Sequence, residues 1–146
     1  MDIEIKVDEK YNESKIIIYT NKMDEEITNI IDSISSINQK TLKAVKDDKM
    51  YILNQKDIET VYSENGKVYV RSNHELYTIK NRLYELESIL DKKCFTRISN
   101  SEIVNFNLVE NIDFKILGTI VINFISGNKS YASRRYIPKI KEFLEI

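Results

Sequence analysis

The 146-residue chain is poor in the residue types that build disulfide, metal and phosphate sites. It has one cysteine, one histidine, one proline, three glycines and no tryptophan. Because Cys94 has no partner for an intrachain disulfide, the sequence fits a reducing compartment. His74 lies in a predicted hairpin turn with no second nitrogen or sulfur ligand nearby, so no metal site is expected. Three scattered glycines do not form a phosphate-binding loop.

Long apolar runs are also missing, which argues against a membrane protein. No run approaches the ~18 to 20 apolar residues that span a bilayer. The N-terminus, Met-Asp-Ile-Glu-Ile, has no basic region and no small-residue cleavage site, so we expect no signal peptide. Carboxylates are abundant but form no recognisable acid–base pair. The sequence therefore predicts a cytoplasmic protein that is not an enzyme and needs no cofactor or small-molecule substrate.

The composition is that of a globular protein with an uneven charge distribution. Hydrophobic residues make up 42% and charged residues 31%, with both signs mixed. Residues 1–47 hold seven lysines and ten acidic residues, whereas residues 91–146 hold nine basic and six acidic residues. The positive charge at the C-terminal end is compatible with a polyanionic partner, and equally with an unevenly charged solvated surface.

Residues 1–45 are predicted to form a small β-β-α segment. Ile3, Ile5 and Val7 alternate with polar residues, and an apolar run follows at residues 16–19, so two strands are expected. Isoleucines then recur at helical spacing from Ile27 onward. A segment of this size cannot bury a stable core alone, so we expect it to serve dimerisation or signal input.

Residues 46–146 are predicted to form a mainly β domain, which makes the whole chain α+β. Short apolar runs are separated by turn residues every 8–12 positions, as in small β domains. Asn65-Gly66 is a strong hairpin signal. Leucines at positions 83, 86 and 90 indicate a short helix, and Pro138 suits the first turn of a last one.

Two polar and basic segments carry the functional signal, at residues 95–105 and 131–136. Arginine can bond guanine O6 and N7, and asparagine can bond adenine N6 and N7. Serine and tyrosine hydroxyls suit phosphate oxygens. These residue types alone leave a second interpretation open, in which both segments are ordinary solvated loops and strand ends.

Taken in order, several short motifs resemble the LytTR family of bacterial DNA-binding domains. The similarity covers about residues 48–146 and rests on matches at residues 57–59, 65–70, 83–86, 95–105, 127 and 133–136. The longest of them reads Phe-x-Arg-Ile-x-x-Ser-x-Ile-Val-Asn, from Phe95 to Asn105. The last reads Ser-Arg-Arg-Tyr, from Ser133 to Tyr136.

The resemblance implies a compact LytTR-type domain of about ten short strands with short helices that binds double-stranded DNA. Such a domain reads the major groove from loops rather than with a recognition helix. By position, Asn100 and Arg135 match base contacts, and Lys67, with Arg71 as a further candidate, replaces a histidine that some members carry in the first hairpin. The residues that match phosphate or electrostatic contacts are Ser101, Tyr131, Ser133, Lys129, Arg134 and Lys139.

The family resemblance implies that the chain is a small transcriptional regulator without a receiver domain. Such a regulator is expected to bind two half-sites as a homodimer. Residues 1–45 are too short for a receiver's five-stranded sheet. Arg97 is either a structural residue bonded to carbonyls or a DNA contact, and Arg134 either contacts DNA or points to solvent. A rival hypothesis is a protein-interaction module that does not bind DNA and couples to a membrane or signalling protein.

Overall fold

The computed structural model describes residues 1–38, 40–114 and 119–146, with the side chains of residues 35–38 left aside. The chain divides into two compact units, residues 1–35 and residues 36–146. No helix among the described residues is long and apolar enough to cross a membrane.

Helix α1, Glu25–Asn38, is the regular element that begins in the first unit. The Asp24 carboxylate caps it by accepting a hydrogen bond of 3.0 Å from the Ile27 backbone N–H. Glu25 and Glu26 lie in the first turn, where the helix dipole favours negative charge. The prediction of a helix in this region is confirmed.

The two strands predicted before α1 are not formed, so the β-β part of the β-β-α prediction was wrong. Residues 1–24 contain neither strand nor helix. Ile3, Ile5 and Val7 are 87%, 81% and 93% exposed. A strand is stabilised by hydrogen bonds to a neighbouring strand, and an alternating pattern alone supplies no neighbour. The apolar side chains of this segment therefore remain open to solvent.

The second unit consists of ten antiparallel strands in two sheets. The seven-stranded sheet has the order β2-β1-β5-β4-β3-β7-β6, and the three-stranded sheet has the order β10-β9-β8. The strands are β1 Thr41–Lys46, β2 Lys49–Asn54, β3 Ile58–Glu64, β4 Lys67–Ser72, β5 Glu75–Ile79, β6 Phe95–Ser99, β7 Glu102–Asn105, β8 Val109–Asp113, β9 Thr119–Phe124 and β10 Lys129–Ser133. The prediction of about ten short strands with short helices is confirmed, although the expected boundary at residue 45 falls inside β1.

Three tight hairpins of the large sheet have left-handed backbone at both turn residues. Asp47-Asp48, Asn65-Gly66 and Asn73-His74 all have positive φ values between 49° and 77°. Two-residue turns of this kind match the right-handed twist of the strands that they join. These turns fix the register β1–β2, β3–β4 and β4–β5, and their Asn and Asp side chains tolerate that conformation.

Two hydrophobic clusters lie on opposite faces of β6 and β7. Helix α2, Leu83–Ile89, covers the first cluster, and helix α3, Ile137–Leu144, with Pro138 in its first turn, joins the three-stranded sheet in the second. Successive residues of β7, Ile103 and Val104, belong to different clusters, as strand alternation requires. The end of the large sheet that carries β6 is therefore covered on both faces.

Two glutamates, the buried Glu59 and the half-buried Glu102, link the large sheet to the small one. Glu59 at the start of β3 accepts hydrogen bonds from the Ser126 hydroxyl and, at 3.0 Å, from the Asn128 amide in the β9–β10 turn. Glu102 on β7 accepts a hydrogen bond of 2.5 Å from Ser130 on β10. Burial raises the pKa of Glu102 despite that bond. The packing of the two sheets thus depends on polar contacts as well as on apolar ones.

Candidate nucleic-acid interface

The turn between β6 and β7 presents Asn100 and Ser101 to solvent. The β6–β7 register shifts between Arg97 and Ser99, which ends the ladder just before the turn. The Ser101 backbone N–H then donates a hydrogen bond of 3.2 Å to the Ser99 hydroxyl. Both turn residues are exposed. A local bulge and a side-chain bond to the backbone therefore fix the shape of this turn.

The Arg97 side chain hydrogen-bonds to the backbone of this turn. Its Nε donates a hydrogen bond of 3.0 Å to the Ser99 carbonyl, and its guanidinium also donates to the Asn100 carbonyl and pairs with Glu87 on α2. The Arg97 side chain is only 15% exposed. With its donors occupied by protein acceptors, Arg97 fits the structural role rather than a DNA contact.

The second predicted segment meets the first one at Tyr136. After β10, a single 3₁₀ turn, Arg134–Tyr136, leads into α3. The Tyr136 hydroxyl donates a hydrogen bond of 2.8 Å to Oδ1 of Asn100. Arg134 and Arg135 are exposed, and within the described chain neither has a hydrogen-bond or ion-pair partner. The structure therefore places Asn100 and the two free guanidinium groups on neighbouring segments.

Lys139 on α3 is a further basic residue, and it pairs with Glu87 on α2. Its ammonium lies 3.8 Å from the second carboxylate oxygen of Glu87, whose first oxygen binds Arg97. The Lys139 side chain remains 49% exposed. Glu87 thus partly neutralises Arg97 and Lys139, whereas Arg134 and Arg135 are without a partner among the described residues and directly precede Tyr136, which bonds Asn100.

Strand β10 contributes one exposed face to the same end of the molecule. Lys129, Tyr131 and Ser133 alternate with the buried residues Ser130 and Ala132. Tyr131 is 58% exposed. Lys129 and Ser133 are four residue steps apart along the strand, a rise of about 13 Å. Ser133 adjoins Arg134, whereas Lys129 lies at the far end of the strand.

The β3–β4 hairpin lies beside the β6–β7 turn. The Ser63 backbone N–H donates a hydrogen bond of 2.8 Å to the Ser101 carbonyl, just before the hairpin tip. Lys67 follows the tip and is exposed. Arg71 instead lies 3.4 Å from Glu59 and 5.9 Å from the Tyr62 ring centroid. Lys67 is therefore the cation of this hairpin that is available to DNA, whereas Arg71 is engaged by Glu59 and Tyr62.

Sequence reasoning missed two residues that organise this surface. Tyr136 packs half-buried against the second hydrophobic cluster, and its hydroxyl bond to Asn100 was not foreseen. Glu87 was not singled out at all, because its partners lie ten or more residues away and only the fold brings them together. Among the described residues, no group of three histidines, cysteines or carboxylates is placed to hold a metal ion.

Comparisons with known proteins match this arrangement to one family. Residues 48–145 match the model of the LytTr DNA-binding domain. An uncharacterized HTH-type transcriptional regulator of Staphylococcus aureus strain MSSA476 is 33% identical over all of this chain and 99% of its own length. Its counterpart in strain MRSA252 is 32% identical over the same shares.

A solved structure shares the fold. It is the LytTr DNA-binding domain of a Bacillus cereus protein described as a methyl-accepting/DNA response regulator. The superposition has a TM-score of 0.70 at 23% identity and covers 73% of this chain and 97% of that one. The relatives' names say HTH-type, yet in the described chain strands separate α1 from α2 and α2 from α3 in sequence. By its family match, its relatives and its ten-stranded fold, the chain belongs to the LytTR family of DNA-binding domains.

Proposed function

We propose that this protein is a sequence-specific transcriptional regulator that reads the major groove of double-stranded DNA with the turns at one end of its β domain. The observation that carries the proposal is the hydrogen bond between Tyr136 and Asn100, because it joins two segments 36 residues apart into one exposed surface. The regulatory role is supported by the names of the Staphylococcus aureus relatives, which match the whole chain.

Base reading is assigned to Asn100 and Arg135. Both side chains are exposed. Arg135 directly precedes Tyr136, whose hydroxyl bonds Asn100. A free guanidinium can bond guanine O6 and N7 together, and an asparagine amide can bond a base edge. The backbone hydrogen bonds around Asn100 favour this role, because a side chain on a fixed turn loses less entropy on binding.

Phosphate contacts are assigned to the residues around these two. Ser101 and Ser133 offer hydroxyls and Tyr131 an exposed phenol, while Arg134, Lys67, Lys129 and Lys139 offer positive charge. Phosphate contacts set the register of a protein on the duplex and carry no sequence information directly. Lys139 contributes least, because Glu87 already lies 3.8 Å from its ammonium.

The test begins with selection of bound sequences from a random duplex pool, followed by titration of single variants on the selected site. Arg135→Ala should remain folded and lose about 1 to 3 kcal/mol of discrimination against a mismatched base, roughly 5- to 150-fold. Arg135→Lys keeps the charge but not the planar donor pair, so it should lose specificity with little change in salt dependence.

Lys43→Ala is the matched control, since Lys43 is an exposed cation on β1, away from the turns. It should leave specific affinity unchanged. For the wild type, log K should fall by about 0.9 per neutralised phosphate for each unit of log salt. Unchanged specific affinity in Arg135→Ala would remove the assigned reading surface.

A second role is proposed for residues 1–45, as a dimerisation or signal-input segment that contacts a membrane or signalling protein. Its support is the row of Ile3, Ile5 and Val7, each of which is more than 80% exposed. The regulator is proposed to act in the cytoplasm as a homodimer on two half-sites. Absence of salt-dependent DNA binding, with protein binding retained, would favour the interaction module instead.

A further inference from the structure

Of the two edges of the large sheet, the one formed by β2 has an apolar surface and no neighbouring strand among the described residues. Strand β2 pairs with β1 on one side and is the last strand of the sheet on the other. Met50 and Ile52 are 68% and 69% exposed, and Tyr51 is 37% exposed. Exposed apolar edge strands are templates for pairing with another chain.

The β1–β2 hairpin determines which backbone groups point outward. Its two-residue turn, Asp47-Asp48, makes Lys46 and Lys49 the first hydrogen-bonded pair. Bonded and non-bonded pairs alternate along an antiparallel ladder. The backbone N–H and C=O groups of Met50 and Ile52 therefore point away from β1, toward the free edge.

We propose that β2 pairs with β2 of a second copy of this chain, antiparallel and two-fold symmetric about Tyr51. In this register Met50 lies opposite Ile52 of the second copy, and the two outward sets of backbone groups complement each other in four hydrogen bonds. Met50 and Ile52 of both copies then cover one another on the same face. The inference rests on the dimer of the proposed function and leaves residues 1–45 for signal input.

Side-chain complementarity supports a second copy as the occupant. In the same register, Asp48 lies opposite Asn54 of the second copy, whose side-chain amide can donate a hydrogen bond to the carboxylate. Asp48 and Asn54 are exposed, and neither side chain has a hydrogen-bond or ion-pair partner within the described chain. The two-fold axis repeats this contact, so an acceptor meets a donor at each end of an apolar centre.

The first test measures the mass of the full chain in solution, without DNA. The wild type is expected to be a dimer, and Ile52→Lys is expected to raise the dimer dissociation constant at least tenfold. Ile125→Lys is the matched control, because Ile125 is 67% exposed but lies in the β9–β10 turn. It should remain a dimer.

The second test fixes the register. Tyr51→Cys places two cysteines opposite each other in a non-hydrogen-bonded pair, whose Cα separation of about 4.5 Å permits a disulfide. Oxidation should give a covalent dimer, and Lys43→Cys should not. A monomeric wild type, a dimer that survives Ile52→Lys, or a folded Tyr51→Cys variant that does not cross-link would overturn the inference.

Binding to a single half-site separates this inference from the proposed function. Ile52→Lys should bind one half-site with wild-type affinity, because β2 and the β6–β7 turn lie at opposite edges of the sheet. Arg135→Ala should remain dimeric while losing specific binding. Failure of the dimer predictions alone would thus leave the DNA-binding proposal standing. Failure of the DNA-binding predictions alone would likewise leave the β2 dimer standing.

Discussion

Tyr136 carries the contact on which the proposed interface depends. Replacing it with phenylalanine removes the hydroxyl that bonds Asn100 at 2.8 Å and keeps the ring. One such bond is worth about 0.5 to 1.5 kcal/mol, so Tyr136→Phe should weaken specific DNA binding by up to about tenfold through a less ordered Asn100. Fluorescence anisotropy on the selected duplex measures the change.

Tyr84→Phe supplies the comparison for that variant. Tyr84 is 68% exposed on α2 and makes no hydrogen bond within the described chain. Its loss should change neither stability nor affinity. Equal affinities for Tyr136→Phe and the wild type would mean that Asn100 needs no support from the second segment.

At the scale of residues, the sequence singled out candidate contacts but not the partners that the fold gives them. Asn100, Ser101 and Arg135 were selected through the family resemblance, and all three are exposed. The role of Arg97 stayed open, because its choice between protein and DNA depends on Glu87, ten residues earlier and on another element. No spacing rule in one sequence reports such a pair.

Asn105 joins three elements at the end of β7. It is 1% exposed, its amide donates a hydrogen bond of 2.9 Å to the Ile58 carbonyl, and its oxygen accepts one of 3.0 Å from the Asn107 N–H. Asn105→Ala would leave two backbone groups without partners, so it should lower the free energy of unfolding by about 2 to 4 kcal/mol. Urea denaturation measures the difference.

Asn111→Ala is the matched control for Asn105→Ala. Asn111 bonds Asn123 at 2.7 Å across β8 and β9, but its side chain is exposed, so water can replace that partner. The expected loss is about 0.5 kcal/mol or less. A loss as large as that of Asn105→Ala would show that burial does not set the cost.

The elements themselves were largely predictable, with one exception that has a physical cause. Turn pairs such as Asn65-Gly66 carry their signal in two adjacent residues, so the hairpins followed from local chemistry. The N-terminal strands were inferred from alternation in residues 3–7 and from the apolar run at residues 16–19. Alternation describes which side chains would share a face, but the hydrogen bonds of a strand come from a neighbour that residues 1–24 lack within the described chain.

At the scale of the whole molecule, stability should depend on the protonation of Glu102. Burial raises its pKa, and the carboxyl lies between Thr60 and Ser130, each at 2.5 Å. A raised folded-state pKa means that the stabilisation is present at low pH and is lost as pH rises through that pKa. Stability should therefore fall as Glu102 ionises, because its partly desolvated position disfavours the charged carboxylate even though both hydroxyls bond it.

Glu102→Gln tests this dependence, since glutamine keeps the shape and an acceptor oxygen but does not titrate. The Tm of Glu102→Gln should rise relative to the Tm of the wild type as pH increases above 4.5, the ordinary pKa of a glutamate side chain. Glu110→Gln, on the exposed surface of β8, should show no such trend. Parallel Tm curves for Glu102→Gln and wild type would contradict the expectation.

The order of the large sheet has a consequence for the shape of a protected operator. Strands β2 and β6 are its two edges, six inter-strand steps or about 29 Å apart along the sheet. If two copies join through β2, their β6–β7 turns lie at the far ends of the assembly. Nuclease footprinting should then reveal two short protected patches with an accessible stretch of duplex between them, rather than one continuous block.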